Sequence, residues 1–306
     1  MIDLGNIFGS AVVPTAQEVI ATPTLPPGVH HNIPEEQYHA LPYISASFLK
    51  RFAQNPLAAT MPFNRTKNML TGSASHAYSL EGIDAFNAGY YVADVPCPEG
   101  QNAKGWKNTT RYKEAIASII EMNSGKDMLD SEQMAAVVGM DESLKNHPVA
   151  SKIFNRKSSE VTLIWIDELT GETCKARVDD MPGNGIVNDY KTTADVDGFV
   201  RQIINLKYFL QAGHYVNGVV ATGNKADMFC FIAAQTSEPY PVRTGFISPA
   251  WLEYSRQEAR RLISLVSECR KTNFYPNYQI PGHIASITQI VPADLLEEWE
   301  QPKWIV

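Results

Sequence analysis

The sequence has few cysteines and no two of them close together. Zinc ribbons and compact iron–sulfur sites need cysteines at short, fixed spacings, and no CxxC pair occurs. The spacing therefore argues against both classes of site, and we expect buried free thiols. The four residues are Cys97, Cys174, Cys230 and Cys269.

Long apolar runs and an early positive charge are also missing. No apolar stretch approaches the roughly 18 residues that span a bilayer. The first lysine or arginine is Lys50, so the N-terminus has no positive region of the kind a secretory signal needs. We expect a cytoplasmic protein without a membrane partner.

The chain has no excess of positive charge either. It carries 26 Lys and Arg against 33 Asp and Glu, a formal net charge of −7, and its pI is near 5.5. This balance argues against a protein that coats nucleic acid over a broad surface. It does not exclude a nuclease, because metal-binding carboxylates are acidic and a basic groove can be local.

The order of secondary-structure signals predicts an α/β fold. A mainly helical N-terminal half precedes a core of β-hairpin, strand, helix and strand, which gives a mixed central β-sheet flanked by helices. Residues 1–37 are rich in proline and predict an extended arm, and 38–306 a single domain. The predicted helices are 45–54, 71–80, 110–122, 131–146, 196–221 and 249–271; the predicted strands are 160–167, 173–179, 186–191, 227–234 and 242–247.

Two aspartates and a lysine form the strongest chemical pattern. Asp179 ends one predicted strand, and Asp189 and Lys191 lie on the next, beyond a Pro/Gly turn. A hairpin of this length can bring both carboxylates to one edge of a sheet, and residues two apart on a strand share a face. Turn aspartates and a solvated ion pair are the alternative interpretation.

This pattern suits phosphodiester hydrolysis. Carboxylates hold Mg²⁺, which prefers oxygen ligands, and Mn²⁺ is a possible substitute. The backbone carbonyl of Tyr190 is a plausible further ligand. Lys191 can orient the attacking water or stabilise developing charge.

Four motifs occur in an order that resembles the exonuclease VIII (RecE) branch of PD-(D/E)XK nucleases, which is similar to RecB-type nuclease domains. They are a GxxxH…LE segment at 72–81, a strand pair from Glu160 to Asp179, a D-x-K-T-T segment at 189–193, and a QxxxY segment at 211–215. The resemblance covers about residues 35–275. It implies a restriction-endonuclease-like core.

The resemblance also implies roles for further residues. His76 would be a metal ligand, the alternative being a core or capping histidine. Glu160 would hold a metal or its water, or else be an edge-strand surface carboxylate. Gln211 and Tyr215 would position the nucleophile or a DNA phosphate, although Tyr215 can equally be core. Asp180 is expected to be a surface carboxylate.

The expected function is a Mg²⁺-dependent DNA exonuclease that resects double-stranded ends 5′ to 3′ for phage-type recombination. The resemblance implies a bacterial or phage-infected host cell, a homo-oligomer and a RecT-like single-strand annealing protein as partner. Two alternatives stay open. One is a catalytically inactive DNA- or protein-binding module on the same fold, and the other is an endonuclease or nickase.

Overall fold

The computed structural model describes residues 24–62, 67–154, 159–181, 183–277 and 296–298. Its strands are β1 (Gly28–His30), β2 (Tyr90–Val92), β3 (Asp127–Leu129), β4 (Ser159–Ile166), β5 (Thr173–Asp180), β6 (Ile186–Thr193), β7 (Met228–Gln235), β8 (Val242–Ile247) and β9 (Leu296–Glu298).

Helices dominate the chain before β4, as the sequence predicts. They are α1 (Glu35–Ala40), α2 (Ala46–Gln54), α3 (Pro56–Ala59), α4 (Lys67–His76), α5 (Ile83–Gly89), α6 (Ala103–Trp106), α7 (Thr110–Met122), α8 (Ser131–Asn146) and α9 (Ala150–Ile153). A π-helical turn, Ala77–Glu81, continues α4. The helices after β6 are α10 (Phe199–Asn205), α11 (Tyr208–Ala221) and α12 (Pro249–Thr272).

Seven strands form one mixed sheet in the order β1-β4-β5-β6-β7-β8-β9, and β2 and β3 form a separate small sheet. Within the large sheet β6 and β7 run parallel, and the other neighbours are antiparallel. The predicted α/β class, with a mixed central sheet flanked by helices, is confirmed.

Helices cover both faces of the sheet. Along β7, Phe229 and Phe231 belong to a core shared with α2, α11 and α12, whereas Cys230 and Ile232 belong to a second core under α8 and α9. Successive strand residues point to opposite faces, so this alternation shows that the strand is buried on both sides.

Two predicted segments differ in the structure. Part of the arm predicted for 1–37 is regular: β1 pairs with β4, and α1 begins at Glu35. Residues 1–23 lie outside the described residues. The single helix predicted for 196–221 is wrong, because α10 and α11 are separated at Lys207, whose φ of 56° is left-handed. A left-handed residue cannot continue a right-handed helix.

None of the helices in the described part of the chain combines the length and apolar character that a bilayer crossing requires.

Candidate metal centre

The centre begins where β5 and β6 separate. These strands share one paired position, Asp180 opposite Asn188. Beyond it, the backbone N–H of Tyr190 donates to Asp179 Oδ2 at 2.8 Å. The N–H and C=O of one strand residue point to the same edge, so the Tyr190 carbonyl also faces this gap. Lys191 Nζ donates to that carbonyl at 3.3 Å.

A histidine and two carboxylates meet at this gap. His76 Nδ1 lies 3.7 Å from Asp179 Oδ2 and 3.9 Å from Glu160 Oε1. One ligand atom from each of the three residues lies within 4.8 Å of the others. This spacing is compatible with ligands around one cation.

The GxxxH segment explains how α4 delivers the histidine. Gly72 and His76 lie one turn apart on the same side of the helix. A Cβ on Gly72 would come within 2.9 Å of Thr192 Oγ1, so a larger residue would require the Thr192 side chain to shift. The π-helical turn that follows His76 is a form often found at functional sites.

Glu160 is held in an unusual conformation. Its φ of 53° is left-handed, although it is the second residue of β4, and non-glycine residues rarely adopt such an angle. Arg177 Nε lies 3.0 Å from Glu160 Oε2 and fixes the side chain toward the sheet. Only 16% of the Glu160 side chain is exposed, so the alternative of a surface carboxylate is wrong.

A second group adjoins the first on β6 and α11. Asp189 is fully buried and forms an ion pair with Lys191. Gln211 Nε2 donates to Asp189 Oδ1 at 2.7 Å, and Lys50 Nζ donates to Gln211 Oε1 at 2.9 Å. The chain of contacts therefore runs from α2 through α11 to the D-x-K strand.

The protonation equilibria show an excess of buried negative charge. Burial, together with Asp179, raises the pKa of Asp189 to about 6, although Lys191 opposes the shift. Burial and Glu160 raise the pKa of Asp179 against the opposing effect of His76. Burial would lower the pKa of His76, but Asp179 and Glu160 outweigh it, and the net shift is upward.

Lys191 has the opposite behaviour from a general base. Burial alone would lower its pKa, but Asp189 and Asp179 raise it above the ordinary value. The ammonium group is therefore protonated at neutral pH. It can stabilise negative charge and orient a water, but it has no free electron pair with which to accept a proton.

The donor set fits a hard divalent cation. Carboxylates with raised pKa values gain most from a nearby positive charge, and oxygen ligands with one imidazole suit Mg²⁺ or Mn²⁺ better than a soft metal. Asp179 is the shared residue, because its carboxylate contacts both His76 and the backbone beside Asp189. The residues that could hold the cation are His76, Glu160, Asp179, Asp189 and the Tyr190 carbonyl.

Two further residues considered in the sequence analysis, Tyr215 and Asp180, lie at the edge of the centre. Tyr215 lies one turn beyond Gln211 and packs in the main core, and its hydroxyl has no hydrogen-bond partner among the described residues. The prediction that Asp180 is a surface carboxylate is wrong, because this residue is fully buried and accepts a hydrogen bond from Asn188 Nδ2 at 2.8 Å.

Sequence reasoning missed two cations of this centre, Lys50 and Arg177. Lys50 shares a helix face with the buried alanines Ala46 and Ala53, which lie four and three residues away. A lysine on the same helix face as small buried residues could have been predicted to direct its charge toward the interior. Arg177 lies two residues before Asp179, but β5 carries Lys175 at the same spacing, so alternation alone does not single it out.

Comparison with known proteins agrees with the fold. A family model described as a PDDEXK-like domain of unknown function (DUF3799) matches residues 45–289. The crystal structure of a "Putative exonuclease" from Eubacterium rectale is similar in fold, with a TM-score of 0.57 and 15% identity, over 86% of this chain and 95% of that one. A search of curated proteins gave no match.

Proposed function

The chain belongs to the family of PDDEXK-like domains of unknown function (DUF3799), and we propose that it is a nuclease that uses Mg²⁺ to hydrolyse phosphodiester bonds in DNA. The observation that supports this proposal most strongly is that two groups of side chains lie side by side where β5 and β6 separate. One group is His76, Glu160 and Asp179, and the other is Asp189 with Lys191.

Each side chain has a distinct part in the proposed reaction. A divalent cation bound by these ligands supplies Lewis acidity and a water of lowered pKa. Lys191, held protonated by Asp189, stabilises charge on the phosphoryl oxygens. Gln211 fixes Asp189 through one oxygen, which leaves the other toward Lys191. Arg177 and His76 hold Glu160 and Asp179 in place.

We extend the proposal to exonucleolytic cleavage, 5′ to 3′, on double-stranded ends. The support is the ordered motif resemblance to exonuclease VIII and the fold likeness to the Eubacterium rectale protein, whose name includes that activity. A RecT-like annealing partner, a homo-oligomer and a part in phage-type recombination belong to the same proposal. An oligomer that encloses DNA would hold the strand despite the net charge of −7 on each chain.

Digestion of two DNA forms tests the proposal. Linear duplex with one labelled end and closed circular duplex are incubated with protein in Mg²⁺, and parallel reactions contain EDTA. We expect loss of the linear form alone, abolished by EDTA, with the label position giving the polarity. Cleavage of the circle would show an endonuclease, and folded protein without cleavage in Mg²⁺ or Mn²⁺ would show an inactive binding module.

A further inference from the structure

The ammonium group of Lys50 lies at the metal centre without a carboxylate partner. Among the residues that the structure describes, its one hydrogen bond goes to the neutral amide oxygen of Gln211, 2.9 Å away. An ammonium has three N–H donors. Two of the three therefore have no protein acceptor, although the side chain is partly buried.

A second cation stands beside it. Lys50 Nζ lies 5.0 Å from the centre of the Tyr208 ring, and Lys191 Nζ lies 5.4 Å from the same centre. Lys191 is paired with Asp189, whereas Lys50 is not. Two ammonium groups therefore lie close to one ring, and that of Lys50 has no carboxylate in direct contact among the described residues.

The positive charge of Lys191 acts on Lys50 and lowers its pKa, and a bound ligand of negative charge would relieve this repulsion. The Tyr208 hydroxyl also has no hydrogen-bond partner among the described residues, and it can donate to the same ligand. The arrangement fits an anion with several acceptor oxygens. A phosphate group of a nucleic-acid strand has this chemistry.

We propose that Lys50 binds a phosphate oxygen of the DNA strand held at the metal centre. The inference deepens the proposed function and rests on it, because it takes the anion to be a DNA phosphate. Lys191 then acts at the phosphate that is cleaved, and Lys50 provides a separate contact that fixes the strand against α2 and α11.

A positioning role is the competing explanation. Lys50 holds Gln211, and Gln211 holds Asp189, so loss of the ammonium could act through the metal ligand alone. The two explanations differ in one measurable quantity. A direct phosphate contact releases a counterion on binding and contributes to the salt dependence of affinity, whereas a positioning residue does not.

The test measures binding of a fluorescent linear DNA duplex in Ca²⁺, at several salt concentrations, with DNA integrity checked on a gel. The proteins are wild type, Lys50→Met, Lys50→Arg and the control Lys271→Met, which removes an exposed lysine paired with Glu268 at 2.9 Å. We expect Lys50→Met to bind about tenfold more weakly. Its slope of log affinity against log salt should be smaller by about 0.9.

Lys50→Arg should keep the wild-type slope, because a guanidinium also donates to phosphate, and Lys271→Met should match wild type. An unchanged slope in Lys50→Met would overturn the proposal in favour of positioning. Failure of the proposed function would give a different result. If the salt dependence of binding depends on Lys50 but wild type cleaves no DNA in Mg²⁺, the phosphate contact stands and the nuclease activity is refuted.

A pH profile gives a second readout. Partial burial and the neighbouring Lys191 lower the pKa of Lys50 to about 8, against the opposing effect of Asp189 and Asp179. Tyr208, the other titratable group that faces it, keeps its proton there because its pKa is raised by burial. We expect kcat/KM of wild type to fall above about pH 8, and that of Lys50→Arg to fall less. Equal profiles would contradict the direct contact.

Discussion

Tyr190 contributes to the molecule in two independent ways. Its backbone faces the gap between β5 and β6, where the N–H holds Asp179. Its side chain is fully buried in the core under α8 and α9, where the hydroxyl lies 2.8 Å from Ser75 Oγ. The proposed metal ligand is the backbone carbonyl, so chemistry and packing can be separated by mutation.

Tyr190→Phe should therefore destabilise the protein without removing activity. The variant loses the hydrogen bonds of the buried hydroxyl with Ser75 Oγ and Met140 Sδ, and we expect the free energy of unfolding to fall by about 1 kcal/mol. Urea denaturation gives the stability and DNA digestion gives the rate, which should stay within about threefold of wild type. A large loss of rate in a fully folded variant would show that the phenol itself takes part.

His214 gives the core a dependence on acid. It is fully buried on α11, and its Nε2 lies 3.0 Å from the Lys175 carbonyl. Burial lowers its pKa from 6.5 to about 4 in the folded protein. As pH falls through this window, the unfolded chain takes up a proton that the folded protein does not, so stability declines.

The expected loss between pH 6.5 and pH 4 is about 3 kcal/mol for this one group. His214→Gln keeps an N–H donor but does not titrate, so its unfolding free energy should decline less over the same range. Denaturant midpoints of both proteins at several pH values isolate the difference, because the acidic residues of the centre titrate in both. Parallel curves would contradict the assignment.

The sequence predicts the centre at residue scale only in part. The proximity of Asp179, Asp189 and Lys191 could be predicted, because a hairpin and a two-residue spacing limit where these side chains can lie. The contact of Gln211 with Asp189 depends on how α11 packs against β6, which spacing does not determine. The burial of Asp180 was unpredictable for a similar reason, since its partner Asn188 is on the next strand.

Helix packing decides which elements can form the centre. α11 carries Gln211 toward the sheet while its opposite side contacts α12. A Cβ on Gly213 would lie 2.1 Å from the Ser255 carbonyl oxygen, which is backbone of α12 and cannot rotate away. Gly213 is thus required for the close approach of these two helices.

Gly213→Ala should cost about 3 kcal/mol of unfolding free energy, the upper part of the range for overpacking. Gly89→Ala is the matched control, because Gly89 ends α5 and no atom lies within 4 Å of the added Cβ. We expect the control to be neutral or slightly stabilising. Thermal unfolding of both variants checks the pair, and equal effects would rule out the steric explanation.

Element boundaries were predictable where local signals agree. Ser45 precedes α2 and caps it, because its side chain accepts a hydrogen bond from the backbone N–H of Phe48. Asp130 caps α8 in a capping box with Gln133. The break between α10 and α11 has no such signal, since residues 205–207 contain neither glycine nor proline. It follows from packing, with Phe199 and Tyr208 in ring contact across the break.

The net charge of the whole molecule determines where DNA could bind. With a net charge of −7, the protein has no general attraction for DNA. If the protein is the nuclease that we propose, its binding of DNA depends on local cations, such as Lys50 and Lys191, and on bound metal. This places affinity and chemistry in the same gap of the sheet, so one carboxylate substitution should affect both.

The most direct test of the account is the Mg²⁺-dependent rate of DNA cleavage by wild type and Asp189→Asn, with Lys225→Met as control for an exposed lysine in an ion pair. The amide keeps the shape of Asp189 but removes the charge. We predict a loss on the order of a thousandfold for Asp189→Asn, with circular dichroism unchanged, and wild-type rates for the control. Cleavage by Asp189→Asn at the wild-type rate would contradict the claim that this centre carries the chemistry.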